Sequence, residues 1–578
     1  MSGAATKRSP QWHLFVPKLI TVLRQGYGPA DLRNDAVAGL TVAIVALPLA
    51  MALAIASGTT PDKGLTTAIV AGFLISALGG SRFQIGGPTG AFVVVVFNVI
   101  AQHGFDGLVV ATLMAGAMLV AAGLLRLGTW VKYIPQPVIT GFTAGIAVII
   151  FSSQVKDLLG LSLDTVPAEF LAKWGAVWEN RGTIDPATLA VAAGSLTIIV
   201  GLRRVAPRVP GFLVAVCAGA LAVWALGLPV DTIGSRFGGI PSSLPVPAWP
   251  SVSWARVTDL LPSAFTIAFL AGVESLLSAV VADGMTGRRH RSNCELVAQG
   301  VANVASALFG GLPATGAIAR TVTNIRSGAR SPLSGMLHAV FLLAFMLALA
   351  PLASFVPLAS LAAVLVVVAW NMSEVERFRH LLTAPLSDRV ALLLTFGLTV
   401  LVDLTVAIEV GVVVAAMAFM HRMAQAVEIQ SHVKLLDEDT DDLDRPASDV
   451  YQPRGDLPEG VVVFRITGPF FFGVANRLSD VLDQIGRPPK VLILRMREVP
   501  LIDATGVGAL AELVDHCRRE GALVILSGVQ EQPQRVLDTM GLTNAPNIIF
   551  AANLEAAVGI ARHRTTPRPA TATLVHAR

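Results

Sequence analysis

Two side chains in this sequence carry charge where charge is costly. Arg320 sits in Ala317-Ile318-Ala319-Arg320-Thr321-Val322, and Glu274 in Leu270-Ala271-Gly272-Val273-Glu274-Ser275-Leu276-Leu277. An ionisable residue inside an apolar run lines a cavity or has a partner. A fixed guanidinium there can hold an anion. A carboxyl group there can take up and release a proton, or coordinate sodium. A silent ion pair between the two is the structural alternative, as is an arginine that snorkels to the interface. We favour an anion-holding Arg320 and a proton-coupling Glu274, with sodium as the second choice of ion.

Two broken hydrophobic stretches place a second kind of charge nearby. Gly86-Gly87-Pro88-Thr89-Gly90-Ala91-Phe92 opens the run Val93–Ile100, and Gly310-Gly311-Leu312-Pro313-Ala314-Thr315-Gly316 opens Ala317-Ile318-Ala319-Arg320. Half-helices that begin inside a membrane present free N–H groups and the positive ends of their dipoles. Thr89, Gly90, Ala91 and Phe92 on one side, and Ala317, Ile318, Ala319 and Arg320 on the other, form the candidate substrate site. Phe92 would supply an apolar wall, and the glycines allow close approach of backbone. Ordinary packing of small residues between helices is the competing reading of the glycines.

The elements that must position these groups follow from the apolar pattern. Of 578 residues, 53% are hydrophobic and 14% charged, whereas a soluble domain has about 25% charged residues. Between residues 36 and 425 the chain reads as fourteen apolar segments, near 36–57, 64–79, 88–102, 107–125, 137–153, 186–202, 209–227, 258–281, 294–309, 316–326, 333–351, 357–370, 389–404 and 406–421. A full span needs about 20 apolar residues. The third and tenth segments are short and hold equivalent places in two sets of seven, as in an inverted repeat. Arg82, Arg126, Arg203, Arg204, Arg288, Arg289 and Arg291 are among many cations on the connections that share a side with the N-terminus. The opposite connections carry Lys63, Lys156, Lys173, Arg181, Arg236 and Arg256. The positive-inside rule then puts both termini in the cytoplasm, with the chain in the inner (plasma) membrane.

Residues 1–34 read as a cytoplasmic amphipathic lead-in, 35–425 as the transport domain, 426–458 as an acidic linker, 459–565 as a soluble α/β domain, and 566–578 as a disordered tail. In the soluble part, β-rich runs at Val461–Ile466, Val491–Leu494, Leu523–Leu526 and Ile548–Phe550 alternate with helical stretches near 475–486, 505–519, 530–540 and 553–563. Asp403 and Glu409 are expected near an outer turn, solvated. Three scattered cysteines fit neither a disulfide framework nor a zinc pattern. No basic tract supports nucleic-acid binding, and no nucleophile–base set or phosphate loop supports an enzyme. A channel and a sensor or scaffold remain competitors to a transporter.

At these residues the chain resembles the SulP family of sulfate permease-like anion transporters. The resemblance runs from about 31 to 565. It rests on Asp35-Ala36-Val37-Ala38-Gly39-Leu40 with Pro48-Leu49-Ala50-Met51-Ala52, on Gly86-Gly87-Pro88-Thr89 and Glu274-Ser275-Leu276-Leu277. Asn293-Cys294-Glu295 through Gly300, Ala319-Arg320-Thr321 to Asn324, and Ser331-Pro332-Leu333-Ser334-Gly335 extend it. It implies fourteen segments in two inverted repeats, a core domain that moves elevator-like against a gate domain, and a homodimer. No cofactor is implied beyond the coupling ion. Pro48–Ile55, Ala317–Arg320 and Ala369–Glu374 are most similar to the C4-dicarboxylate transporters of the family, so proton-coupled uptake of succinate or fumarate is the expectation, with sulfate or bicarbonate as the alternative. Some bacterial bicarbonate transporters of the family have an aspartate at the place of Glu274 and lack the arginine matching Arg320. The soluble part resembles a STAS domain through Ile502-Asp503-Ala504-Thr505-Gly506. Asp503 is expected to cap a helix. Thr505 matches a position phosphorylated in related bacterial regulators, while a role of the domain in trafficking or in binding a cytoplasmic protein partner is favoured.

Overall fold

The computed structural model describes residues 14–129, 135–163, 167, 169–206, 209–402, 404–425, 428–431, 457–471 and 489–565. The expected helix near 475–486, most of the linker, Asp403 and the tail lie outside these residues. The chain divides into two units, Met1–Ala415 and Ala416–Arg578.

In the first unit a short helix α1 (Lys18–Gln25) precedes α2 (Pro29–Ala56), α3 (Pro61–Leu78) and the two-residue strand β1 (Gly86–Gly87). Then come α4 (Val93–Leu124), α5 (Gln136–Leu159), α6 (Phe170–Glu179), α7 (Pro186–Val205), α8 (Gly211–Leu226), α9 (Ile233–Phe237), α10 (Trp254–Thr286) and α11 (Ser292–Leu308). Strand β2 (Thr315–Gly316), α12 (Ile318–Arg326), α13 (Leu333–Ala353), α14 (Leu358–Met372), α15 (Val375–Leu381), α16 (Leu386–Leu401) and α17 (Leu404–Gln425) follow.

Among the described residues, eight helical stretches are long and apolar enough to cross a membrane. Gly104 interrupts α4 with φ 71°, so α4 holds two of the expected segments. With α4 counted twice, α2, α3, α5, α7 and α8 make a first set of seven, and α10 to α14 with α16 and α17 a second. The first span starts at Pro29, ahead of the expected boundary, because Pro at the first helical position and the Asp31 carboxylate, which accepts from the Gly28 N–H at 3.3 Å, fix its start there.

Helix packing repeats between the two sets. α2 packs on α13 as α10 packs on α4; α3 packs on α13 as α11 packs on α4; α5 packs on α16 as α14 packs on α7. The antiparallel pair β1–β2, Gly86 opposite Gly316 and Gly87 opposite Thr315, joins the two broken segments themselves. Glycine permits the closest crossings. A Cβ on Gly116 would lie 2.8 Å from the Gly300 carbonyl oxygen, and one on Gly300 would lie 2.5 Å from the Gly116 oxygen. With no hydrophobic drive between helices in lipid, such close contact supplies the attraction. α2 to α4 with α10 to α13 form one layer, and α5, α7, α8, α14 and α16 the other.

The second unit is a five-stranded sheet in the order β3-β4-β5-β6-β7, from β3 (Glu428–Ser431), β4 (Val461–Thr467), β5 (Val491–Glu498), β6 (Leu523–Ser527) and β7 (Ile548–Ala551). β4 to β7 run parallel, and β3 adds an antiparallel edge. The segment read as linker therefore opens with a strand. Helices α18 (Ala504–Arg519), α19 (Glu531–Thr539) and α20 (Leu554–Thr565) cover it. Side chains of a strand alternate between faces. Leu492 and Leu494 thus join Leu510 and Leu513 in one apolar cluster, while Val491 and Ile493 join Ala557 and Ala561 in another.

Candidate functional site

Both half-helix starts lack a side-chain cap. A helix leaves its first N–H groups without intrahelical acceptors, and an N-cap threonine ordinarily accepts from one of them. Thr89 is the N-cap of the turn Gly90–Phe92 that runs into α4, yet it caps nothing. Its hydroxyl instead donates to Glu274 Oε2 at 2.9 Å. At α12 the N-cap is Ala317, which has no cap to offer, and the first turn holds no acidic residue. Two sets of backbone donors are therefore left for an outside acceptor.

Arg320 stands between them. The side chain is 2% exposed. Its Nη2 donates to the Pro88 carbonyl at 3.1 Å, while Nε and Nη1 have no partner among the described residues. Gly87 is held at φ 153°, and a Cβ there would lie 2.5 Å from Nη1. The guanidinium thus rests on the backbone just before the α4 start. Arg320 and Glu274 form no direct ion pair, although each feels the other's charge. The silent-pair alternative has no contact behind it.

A set of polar bonds fixes the two starts. The Ala317 N–H donates to Ile85 O at 2.8 Å. The Ile85 N–H and the Ser278 hydroxyl both donate to Thr321 Oγ1, each at 3.1 Å. Gln84 Nε2 donates to Ser275 O at 3.2 Å, and Thr315 Oγ1 to Ala271 O at 2.9 Å. Asn324 reaches the Phe83 carbonyl at 2.8 Å. α10 therefore carries Glu274 on the same segment that anchors both breaks.

The structure brings Thr89, Glu274 and Arg320 together with the starts of α4 and α12. Thr89, Gly90, Ala91, Phe92 and Ala317 are buried, Ile318 half-buried and Ala319 exposed. Phe92 belongs to the main apolar cluster of the unit. Several participants went unread in the sequence. Met372 and Ile150, from the other layer, close on Gly90, where a Cβ would meet Met372 Sδ at 2.6 Å. His338 is fully buried on α13 with neither ring nitrogen partnered among the described residues, and it feels the charge of Arg320. A lone histidine in the apolar run after Leu333 was its only signal.

Other motif residues hold the frame. Asp35 is fully buried and accepts from the Arg330 and Ser331 N–H groups at 2.6 and 3.1 Å and from Tyr27 Oη at 2.8 Å. Glu295 accepts from the Gly80 and Ser81 N–H groups at 2.8 and 3.1 Å. Glu409 is exposed on α17. In the second unit, Asp503 caps α18 by accepting from the Gly506 N–H at 2.8 Å, and Thr505 is exposed in the first turn.

A sequence profile of the sulfate permease family matches residues 32–395, and one of the STAS domain matches 453–557. YvdB of Bacillus subtilis, named for sulfate transport, is 42% identical over 520 residues, 90% of this chain and 95% of its own. The bicarbonate transporter BicA of Picosynechococcus is 32% identical over 525 residues, 89% of this chain and 91% of its own. In structure the chain is similar to SLC26A9, with TM-score 0.84 and 18% identity over 96% of this chain and 93% of that one. The transmembrane domain of a cyanobacterial BicA gives TM-score 0.59 and 31% identity, over 68% of this chain and 98% of that domain.

Proposed function

The chain belongs to the sulfate permease family of anion transporters, and on that premise we propose that it moves a small inorganic oxyanion across the plasma membrane, sulfate first and bicarbonate second. One observation carries the reading: a buried arginine with unpaired N–H groups stands between two uncapped half-helix starts. An anion would cap both starts and neutralise Arg320 at once. A cationic substrate would be repelled by Arg320 and both helix dipoles, and a neutral one would leave the buried guanidinium without a counter-charge.

The names of the relatives favour an inorganic oxyanion over the C4-dicarboxylate expected from short strings. Those strings are weak guides to substrate because much of Pro48–Ala54 is buried packing, and Trp370 is 69% exposed. Glu274 is the proposed coupling group, since its carboxylate is bonded to the residue that begins the α4 turn. Protonation there would change the charge beside the anion, which links the two bindings; sodium is the second choice. Alternating access would move the layer that carries both starts against the layer that carries Met372 and Ile150. A homodimer with both termini in the cytoplasm, and a STAS domain that binds a partner protein, complete the proposal.

Purified protein in liposomes tests it. A pH gradient should drive labelled sulfate or bicarbonate above its equilibrium level. Flux that only dissipates a gradient would mark a channel, and uptake of succinate in place of both oxyanions would restore the dicarboxylate.

A further inference from the structure

One buried cation has no place in the site above. Lys173, on α6 between two membrane segments, is 6% exposed. Its ammonium forms no hydrogen bond or ion pair among the described residues, and desolvation alone acts on it, lowering its pKa. Among the described residues the ammonium meets the Phe97 ring, 5.7 Å away. A cation–π contact offsets only part of what burying an ammonium costs.

Lys173 lines a cavity of about 290 Å³. This is at the small end of ligand cavities, a size for a compact ligand. Its walls come from both helix layers: the end of α2, the first turns of α4 from Val93 on, the end of α5, and α9. Val93 directly follows Phe92, so the cavity begins where the candidate site's apolar wall ends. Neither Arg320 nor Glu274 lines it. Among the described residues the titratable walls are Lys156, Lys173 and Arg236 against Asp157. Asp157 is taken, since it pairs with Arg236 at 2.9 Å. Lys156 donates to the Leu163 carbonyl at 2.7 Å. Among the described residues Lys173 is thus the cation left without a counter-charge, and the described walls are net positive.

We propose that this cavity is a second anion site, distinct from Arg320, in which Lys173 holds a small oxyanion of the transported class on its way to or from the two helix starts. The site rests on the anion-transporter reading for its purpose but not for its chemistry. A phosphate headgroup of an anionic lipid offers the same chemistry, and the test separates the two sources.

The test is protection of Lys173 in the purified full-length protein. A small amine-acylating reagent is applied with sulfate, with short-chain phosphatidylglycerol, or with a bulky buffer sulfonate at matched ionic strength. Modification is read peptide by peptide by mass spectrometry, with exposed Lys490 as the internal control. With sulfate at about ten times its dissociation constant, mass action slows Lys173 modification roughly ten-fold and leaves Lys490 unchanged. Equal rates with sulfate and sulfonate overturn the proposal, and protection by the lipid alone assigns the cavity to a headgroup and overturns it too. In liposomes, Lys173→Met should raise the half-saturation for sulfate on the face that the cavity serves and Lys173→Arg should restore it. An equal rise on both faces contradicts a separate site. If sulfate protects Lys173 while no oxyanion is transported, the proposed function fails and the site stands.

Discussion

Substituting Gly87 by alanine should loosen the anion without touching a charged residue. The new Cβ would stand 2.5 Å from Arg320 Nη1, against ordinary contact of 3.4 Å or more. The guanidinium must retreat by about 1 Å or the backbone must move, and the 3.1 Å bond to Pro88 O is strained either way. At an effective dielectric constant of about 20, moving a unit charge from about 3 to about 4 Å from an anion loses about 1.4 kcal/mol. That is about ten-fold in affinity. The φ of 153° adds a backbone cost of about 1–3 kcal/mol to stability, which is separate from affinity. Gly104→Ala is the control, because φ there is 71° but no atom lies within 4 Å of its Cβ. The assay is the half-saturation for sulfate uptake into liposomes, alongside thermal unfolding of each variant. Gly87→Ala should raise half-saturation about ten-fold, and Gly104→Ala should lower stability alone. A folded Gly87→Ala protein with unchanged half-saturation would refute the placement of Arg320 at the anion.

Glu274→Gln should abolish the pH dependence of uptake while exchange of bound anion persists; a retained pH profile, measured as flux against pH, moves the coupling group elsewhere. Asp503→Ala removes the cap on α18 and should cost the STAS unit about 1 kcal/mol, read as a lower unfolding temperature of that unit. Arg465 holds the Glu498 carboxyl below the usual carboxylate value, with desolvation opposing and Thr467 assisting. A depressed folded pKa gives stability that is present above the unfolded value and lost as pH falls through the folded one. The wild-type advantage over Glu498→Gln should therefore hold at neutral pH, stay below about 1 kcal/mol because the pair is partly open to solvent, and fall away in acid unfolding titrations as the pH drops below about 4.

The positions of the breaks were legible because Gly86, Gly87, Pro88, Gly310, Gly311 and Pro313 interrupt apolar runs, and few other causes produce that pattern. Their equal places in two sets of seven exposed the repeat. Strands of two residues have no periodicity, so the β1–β2 pair was invisible until Gly86 met Gly316. β3 was hidden because a short edge strand bonded on one side needs little apolar pattern, and the acidic stretch beyond it looks like linker. Arg320 and Glu274 stood out because charge is rare in such segments. Thr89 was read only for its backbone, since no sequence rule says that an N-cap hydroxyl will give its proton to a carboxylate on α10. Met372 and Ile150 come from helices distant in sequence, and only packing puts them beside Gly90; His338 follows Arg320 by one helix, and nothing in its apolar run says that it feels the arginine's charge.

In the proposed site, Arg320 and the two uncapped helix starts together hold the transported anion. Sulfate binding to the purified protein tests it most directly, measured by titration calorimetry for wild type, Arg320→Ala and Arg320→Lys, with thermal unfolding to confirm that each is folded. Arg320→Ala should weaken binding by ten-fold or more, consistent with the loss of about 1.5–3 kcal/mol of charge-assisted hydrogen bonding, and Arg320→Lys should retain part of it. Wild-type affinity in folded Arg320→Ala would take the arginine out of the anion site and leave it a structural bolt on Pro88.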